Sequence, residues 1–534
     1  MTEKEAERPG LAPAIILATV SLGVFVAADD LTVVSTMLRT MVADLQIPLP
    51  DELDKAAWIV NAYLIAYVVV MPFMGRVSDI VGRRAVYVAA MGIFLVGSIW
   101  IPLAPEVGVW LGSRLPEGIN WQPADIAFAF FLVGRVLTAL GGGAMVPVAM
   151  AVVADIYPRQ RRAAALGILG TIETSGWVWG PLYGALLVRF LDWRWQFYLN
   201  VPLALIGIAS GLWALRRLPR VQSPQAIDWV GTALLSGGLL ALNVGLLNSG
   251  SIQNVGSLVD SLGDLGSQSF ARTVPFIIAG LAGLAAFVRY ERRLGRHDGR
   301  VPILDLDLFR RRNFTPAVIV NFVVGGILII AMVNVPLVIN VLEIDPQQAA
   351  LDSGWLLSAL TGSMAIMAYV GGRWTERSGY RPVTVLSLVA CSVGFGLMGF
   401  LWDANITYGQ MAWQLVILGV GFGLATAPVG AAIINAAPED QRGIAASLVI
   451  VFRLMGMSVG LSALTAWGQY RFNYLRTTID VPPITDPGFG AALTEALTTV
   501  TADVLAETFV ICALLAALVI IAAVRLRADA PDMS

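Results

Sequence analysis

The sequence predicts an all-α protein that crosses a membrane many times, and three observations predict it. Hydrophobic residues make up 57% of the 534 and charged residues only 13%, against about 25% charged in an average soluble domain. The mean hydropathy is +0.74, so lipid is the natural solvent for most of the chain. Long apolar windows recur along it, the first at 11–38 and the last at 503–525. A hydrocarbon core of about 30 Å needs about 20 apolar residues in a helix, and these windows supply fourteen such spans. They are rich in Leu, Ala, Val and Gly and lack the alternating polarity, in strands of about 10 residues, that a membrane β-barrel needs. The formal charge of −2 provides no basic field, which argues against a nucleic-acid partner. Cys391 and Cys512 lie in apolar runs and read as packing residues.

Taken in order, the polar start MTEKEAERPG leads into an apolar run from Leu11 that continues to Asp29. That run is longer than the apolar core of a signal peptide, so it reads as an uncleaved first span. With the N-terminus inside and the spans alternating, 25 Lys and Arg fall in inner segments, 8 in outer segments and 2 within spans. The positive-inside rule then favours an N-in, C-in chain.

The chain also repeats itself. The inner loop Gly75-Arg-Val-Ser-Asp79-Ile-Val-Gly82-Arg83-Arg84 returns 297 residues later as Gly372-Arg-Trp-Thr-Glu376-Arg-Ser-Gly379-Tyr-Arg381. A second offset, of 280, pairs Gly141 with Gly421, Arg162 with Arg442, Gly176 with Gly456 and Gly180 with Gly460. Two related six-helix halves follow, with two further spans inserted between them. The expected division is an N-terminal bundle over 1–220, a linker with two extra spans over 221–300, and a C-terminal bundle over 301–534. In the last, 467–503 is too polar for lipid yet helical in pattern, so the final two spans are expected to extend beyond the outer face.

These residues carry a resemblance. The loop Gly75–Arg84, Arg135 with the following Gly141, the run Gly176-Trp177-Val-Trp-Gly180-Pro181-Leu-Tyr-Gly184, and Asp192-Trp-Arg-Trp195 with Asn200 and Pro202 resemble motifs of the major facilitator superfamily. Specifically, they resemble its fourteen-helix drug:proton antiporter branch. The segment Arg453–Asn473 is similar to mycobacterial members that export triacylglycerol-type lipids with a lipoprotein and are linked to drug efflux. The resemblance implies the two-bundle facilitator fold with two linker helices and alternating access in the cell membrane. It also implies a proton-driven export of hydrophobic small molecules or lipids, and admits an outer-face lipoprotein as partner. A broad multidrug:proton antiporter is the alternative. A single copy is expected to suffice. No cofactor or metal motif is present, and no histidine base or acidic metal cluster suggests a membrane enzyme.

Ionisable groups inside spans are costly and default to function. The only histidine, His297, lies in a basic loop, so a carboxylate must carry any coupling proton. Asp29 and Asp30 are adjacent and point about 100° apart on a helix; the family match favours Asp30. Glu173 and Arg453 are equivalent by the 280 offset. Arg453 is expected to pair with Asp30, Glu173 or both, making one coupled charge group. Arg135 in the matching position implies coupling or packing. Asp79, Arg83 and Arg84, with Asp155 as a partner for Arg83 and Glu376 in the repeated loop, are read as an inner gate. Gly176, Gly180, Gly184, Gly456 and Gly460 have small-xxx-small spacing for close helix packing, and Pro181 can bend its helix. Trp177, Met457, Asn334, Asn340 and Trp355 are candidates for an oily substrate cavity.

Overall fold

The computed structural model describes residues 13–46, 53–114, 122–218, 228–249, 268–297, 306–342, 346–402, 406–476 and 489–527. Among them there is no strand, and sixteen α-helices follow one another. They are α1 (Pro13–Thr32), α2 (Val34–Asp44), α3 (Leu53–Val81), α4 (Arg83–Trp100), α5 (Ala104–Gly112), α6 (Pro123–Ile156), α7 (Arg159–Phe190) and α8 (Arg194–Ala214). The rest are α9 (Trp229–Ser249), α10 (Gln268–His297), α11 (Phe314–Leu342), α12 (Pro346–Ser378), α13 (Tyr380–Leu401), α14 (Tyr408–Ala436), α15 (Arg442–Arg476) and α16 (Phe489–Ala523). Thirteen of the fourteen sequence windows fall on one helix each, and the first, 11–38, runs from α1 into α2.

Twelve candidate spans among the described residues are long and apolar enough to cross a membrane, two fewer than the sequence windows. The two that fall short do so for different reasons. Helix α7 has ample length, 32 residues, but begins with Arg159, Arg161 and Arg162 and carries Thr171, Glu173, Thr174 and Ser175 in its middle. Helix α9 has 21 residues; its described side chains give the apolar stretch Trp229–Leu242 and stop short of a full span.

The helices pack as two copies of one pattern. In the first, α1 packs on α6, α7 and α8, while α3 packs on α6, and α4 packs on α6 and α8. In the second, α11 packs on α14, α15 and α16, while α12 packs on α14, and α13 packs on α14 and α16. The copies meet through two equivalent seams, α3 against α15 and α7 against α12. Helices α9 and α10 stand outside this pattern, paired with each other, with α9 lying on α3 and α15. Asp228 starts α9 by accepting the amide N–H of Val230 and Gly231 at 3.1 and 3.0 Å, a side-chain cap of the free helix end. Tyr290 on α10 donates to the same carboxylate at 3.0 Å, fastening the pair.

The repeated loop explains the seams. Gly82 and Gly379, equivalent by the 297 offset, begin α4 and α13 with φ of 104° and 78°. Only glycine takes this backbone without strain, so each of these turns can reverse at once. One strand of the repeat then brings helix backbones together. A methyl on Gly75 would sit 2.5 Å from the Gly443 carbonyl oxygen across the α3/α15 seam. A methyl on Gly372 would sit 2.6 Å from the Ala163 carbonyl oxygen across the α12/α7 seam. Residues 443 and 163 differ by the 280 offset, so both seams obey the same pseudo-symmetry.

Helices α15 and α16 each have 35 residues, about 52 Å at 1.5 Å per residue, well beyond a hydrocarbon core of about 30 Å. Arg471 and Glu507 tie them with a bond of 2.7 Å. Exposed Trp467, Tyr470 and Tyr474 lie near that point, where interfacial aromatics would anchor. Of the expected outer region, 477–488 lies outside the described residues.

Because the α3/α15 seam is a backbone contact, Gly75→Leu should hold the halves apart at this end while leaving each half folded. Spin labels at Gln160 and Arg377 should then report a longer inner distance than in the unsubstituted protein. An unchanged distance would show that the seam tolerates a side chain.

Candidate functional site

The site residues occupy three places: a buried acid–arginine pair inside the first half, an ion pair between the halves, and a cluster at the end of the seams.

Inside the first half, Asp30 on α1 is fully buried and pairs with the Arg135 guanidinium of α6 at 3.0 Å. Asn200 of α8 donates to its other oxygen at 3.4 Å. Arg135 is itself held by the Ile59 carbonyl at 3.4 Å and stacks over the Tyr63 ring of α3 at 4.4 Å, a cation–π contact strengthened by exclusion of water. Tyr63 in turn donates to the Ala27 carbonyl at 3.1 Å. Asp29 points elsewhere, accepting from Gln196 of α8 at 2.9 Å and from Tyr183 of α7 at 3.0 Å.

Between the halves, Arg453 of α15 lies 3.9 Å from Glu173 of α7, and both side chains are buried. Asn321 of α11 accepts from the Arg453 Nε at 3.4 Å and donates to the Val449 carbonyl. The expected single group of Asp30, Glu173 and Arg453 is therefore two groups. Arg453 takes Glu173, and Asp30 takes Arg135. The reason is geometric: Asp30 faces α6 and α8 within its own half, whereas Glu173 is on a seam helix that faces the other half.

At the end of the seams, Asp79 of α3 accepts the amide N–H of Gly443 and Ile444 at 2.9 and 3.2 Å. These are free donors in the first turn of α15, where the helix dipole favours an anion. Arg83 bridges Asp79 at 2.5 Å and Asp155 at 3.1 Å. Arg442 reaches Asp155 from the other half at 3.3 Å. The equivalent of that last pair, by the 280 offset, is Arg162 with Asn435, at 2.7 Å. Tyr380 accepts from the same Asn435 at 2.6 Å. Arg84 is not drawn in; its buried Nε has no hydrogen-bond partner among the described residues. Glu376 is half-buried on α12, outside the bonded cluster around Asp79.

The glycine rows lie against neighbouring helices. Methyls on Gly176 and Gly180 would press on Ala28 and Thr32 of α1, and those on Gly456 and Gly460 on the Phe322 and Gly326 carbonyls of α11. Gly184 is buried further along α7. Pro181 and Asn340 lie on α7 and α11, but their side chains fall outside the described residues. A small cavity beside Arg453 is lined by Asn321, Leu328, Met364, Phe422 and Thr426. The proposed cavity residues do not line it: Trp177 is buried, Met457 and Asn334 are half-buried, and Trp355 is 73% exposed. Sequence reasoning missed Tyr183, Gln196, Asn321 and Asn435. Asn435 was accessible, because it is Asp155 advanced by 280.

A helix bundle of two pseudo-symmetric halves, with an ion pair across the seam, has the architecture of a polytopic membrane transporter. Residues 20–461 match the family model of the Major Facilitator Superfamily, and the chain belongs to that superfamily. It is similar to the triacylglyceride transporter Rv1410c of Mycobacterium tuberculosis, with 30% identity over 96% of this chain and 95% of that protein. It is 31% identical to a probable triacylglyceride transporter of Mycobacterium leprae, over 87% of this chain and 86% of that one. Among solved structures, the proton:xylose symporter XylE superposes with a TM-score of 0.58 at 14% identity, covering 94% of each chain. The human organic anion transporter MFSD10 gives 0.58 at 12%, covering 97% of this chain and 100% of that one. The protein is thus a multi-pass protein of the cell membrane that transports.

Two predictions follow from the pairings. Removing one partner of a buried pair costs about 3–5 kcal/mol. Asp30→Asn and Arg135→Gln should therefore couple by about 1–3 kcal/mol in thermal unfolding, whereas Asp30→Asn and Arg453→Gln should add within about 0.5 kcal/mol. Coupling between Asp30 and Arg453 would restore the single charge group. Asp79→Asn should leave expression intact but slow exchange of the halves about tenfold, measured by transport in vesicles. Rates equal to those of the parent would remove Asp79 from the gate.

Proposed function

We propose that this chain is a proton-driven exporter of hydrophobic lipids of the triacylglycerol class, working by alternating access. The observation that carries the mechanism is the buried Glu173–Arg453 pair, 3.9 Å across the seam. A proton arriving on Glu173 neutralises it and removes the attraction holding α7 to α15 in a low-dielectric interior. Arg453 then keeps only its contact with Asn321. The inner cluster around Asp79 can release next, and the halves rock about the seams. Asp30 and Arg135 keep the first half rigid while this happens.

The lipid substrate is supported by the relatives named as triacylglyceride transporters and by the sparse charge of the chain. The extension of α15 and α16 beyond the bilayer supports it too, since an oily cargo must be guided away from the membrane. An outer-face lipoprotein could take it there. The working arrangement is fourteen spans, N-in and C-in, as a monomer, divided at 220 and 300. A second reading, a broad multidrug:proton antiporter, is favoured by the run Gly176–Gly184, which resembles the antiporter signature.

The test uses reconstituted vesicles with an imposed proton gradient, a fluorescent triacylglycerol analogue and a cationic dye. Glu173→Gln should lower gradient-driven lipid export at least about tenfold, the equivalent of ~1.4 kcal/mol in the barrier, with substrate binding retained. Shortening 476–498 should impair lipid export and spare the dye. Equal loss of both cargoes on shortening would favour the antiporter reading. Unimpaired export by Glu173→Gln would take the proton away from the seam.

A further inference from the structure

The geometry points to Asp29 as a second proton-binding site, separate from the seam pair: Asp29 carries a proton, held by Gln196 and Tyr183, in the state with the inner end closed. This inference rests on reading the chain as a proton-driven exporter.

Two adjacent carboxylates, Asp29 and Asp30, are both buried, at 3% and 0% exposure. The first half offers one arginine to them. Arg135 is spent on Asp30, at 3.0 Å. Around Asp29 the facing groups are otherwise neutral or acidic. Helix α8 presents the amide of Gln196, and α7 the hydroxyl of Tyr183. The Tyr63 hydroxyl of α3 is turned to the Ala27 carbonyl. From α2, Asp44 is engaged by Trp193 and Arg194 instead. The charged neighbour on its own helix is Asp30, of like sign. An ionised Asp29 would be a buried anion without a cation, which proteins avoid by taking up a proton.

The hydrogen bonds lead to the same proton. Both donors, Gln196 Nε2 and Tyr183 Oη, go to one oxygen of Asp29, Oδ2. The other oxygen, Oδ1, is buried and has no donor among the described residues. Gln196 Oε1 is also buried, and it too has no donor among the described residues, although its residue is completely shielded from solvent. Two acceptors on one hydrogen-bonded pair of side chains are thus left unmatched, a costly state for buried polar atoms. A proton on Oδ1 turns one of those acceptors into a donor and removes the buried charge together. Of the two partners only Tyr183, on α7, is not fully buried, so the proposed route for the proton runs out on its side. That route does not pass through Arg135 or Glu173. Asp30 and Asp29 then divide the work: one is a fixed partner for an arginine, and the other is loaded and emptied.

Infrared difference spectroscopy on the full-length protein in nanodiscs reads this directly. The carbonyl band of a protonated carboxylic acid should be present at neutral pH, disappear in Asp29→Asn and persist in Asp30→Asn. Asp29→Glu should keep a band with a shifted position, which guards against loss of fold in the asparagine variant. Tyr183→Phe should move the pH at which the band titrates. In vesicles, Asp29→Asn should lower the number of protons moved per substrate by one. Glu173→Gln should abolish driven export and leave the Asp29 band in place, so the two sites fail separately. A band unaltered by Asp29→Asn would overturn the proposal. So would a band that vanishes on replacing potassium with sodium, since the site would then hold a cation.

Discussion

A charge that enters the apolar interior of this protein must be answered by an opposite charge, a polar partner or a proton, and that constraint orders the rest of the structure. Arg135 lies within the first half and Arg453 lies on the seam. The arginine inside the half is held by a carboxylate of α1 and by a carbonyl and an aromatic face of α3. The arginine on the seam has one carboxylate at 3.9 Å and one amide at 3.4 Å. A tightly satisfied charge stabilises one arrangement, whereas a loosely satisfied one can exchange partners at small cost. The difference in satisfaction therefore separates the rigid body from the moving joint.

At the end of the seams the same rule meets pseudo-symmetry. Arg442–Asp155 and Arg162–Asn435 are equivalent pairs, but only the first holds two opposite charges. Asp79 reaches the opening turn of α15, while Glu376, its counterpart by the 297 offset, stands apart from the cluster. One seam thus adds ion pairs to its backbone contact, whereas the other has backbone packing and a hydrogen bond from Arg162 to a neutral amide. A motion that opens this end must break ion pairs on the α3/α15 side, but only shear helices on the α7/α12 side. Glu173 and Arg453 join those two sides, since α7 belongs to one seam and α15 to the other.

Much of this was legible in the sequence, and the part that was not has a physical cause. The repeated loop fixed the positions of Gly75, Gly82, Gly372 and Gly379, because a tight turn and a backbone contact both demand glycine and leave a spacing that can be read. The 280 offset likewise placed Glu173 opposite Arg453. Partner choice was harder. A change of one residue turns a helical side chain by about 100°, so the chain order alone could not say whether Asp30 faces Arg135 or Arg453. Gln196 and Tyr183 were invisible for another reason: an amide and a phenol in an apolar span have no spacing that marks them as a pair. The span count shows the opposite failure. Helix α7 is less apolar than its neighbours because it carries the polar residues of the seam, so hydropathy is weakest at a helix that matters most.

Under the proposed proton-driven exchange, the placement of the charges gives the coupling its direction. In the arrangement described, the inner cluster is intact and Glu173 sits beside Arg453. Protonating Glu173 cannot weaken Asp30–Arg135, which shares no side chain with the seam pair. It can only loosen α7 against α15. The bonds that then resist separation are those of the inner cluster, and they lie on the first turn of α15 and the last turns of α3 and α6. A release at the centre is therefore felt at the inner end through α15, one continuous helix from Arg442 to Arg476. The same helix continues outward to Arg471, where Glu507 ties it to α16. A single continuous helix thus links the Asp79 cluster, the central charge pair and the far extension. Rocking α15 at its middle moves both of its ends, which is the mechanical form that alternating access requires of a seam helix.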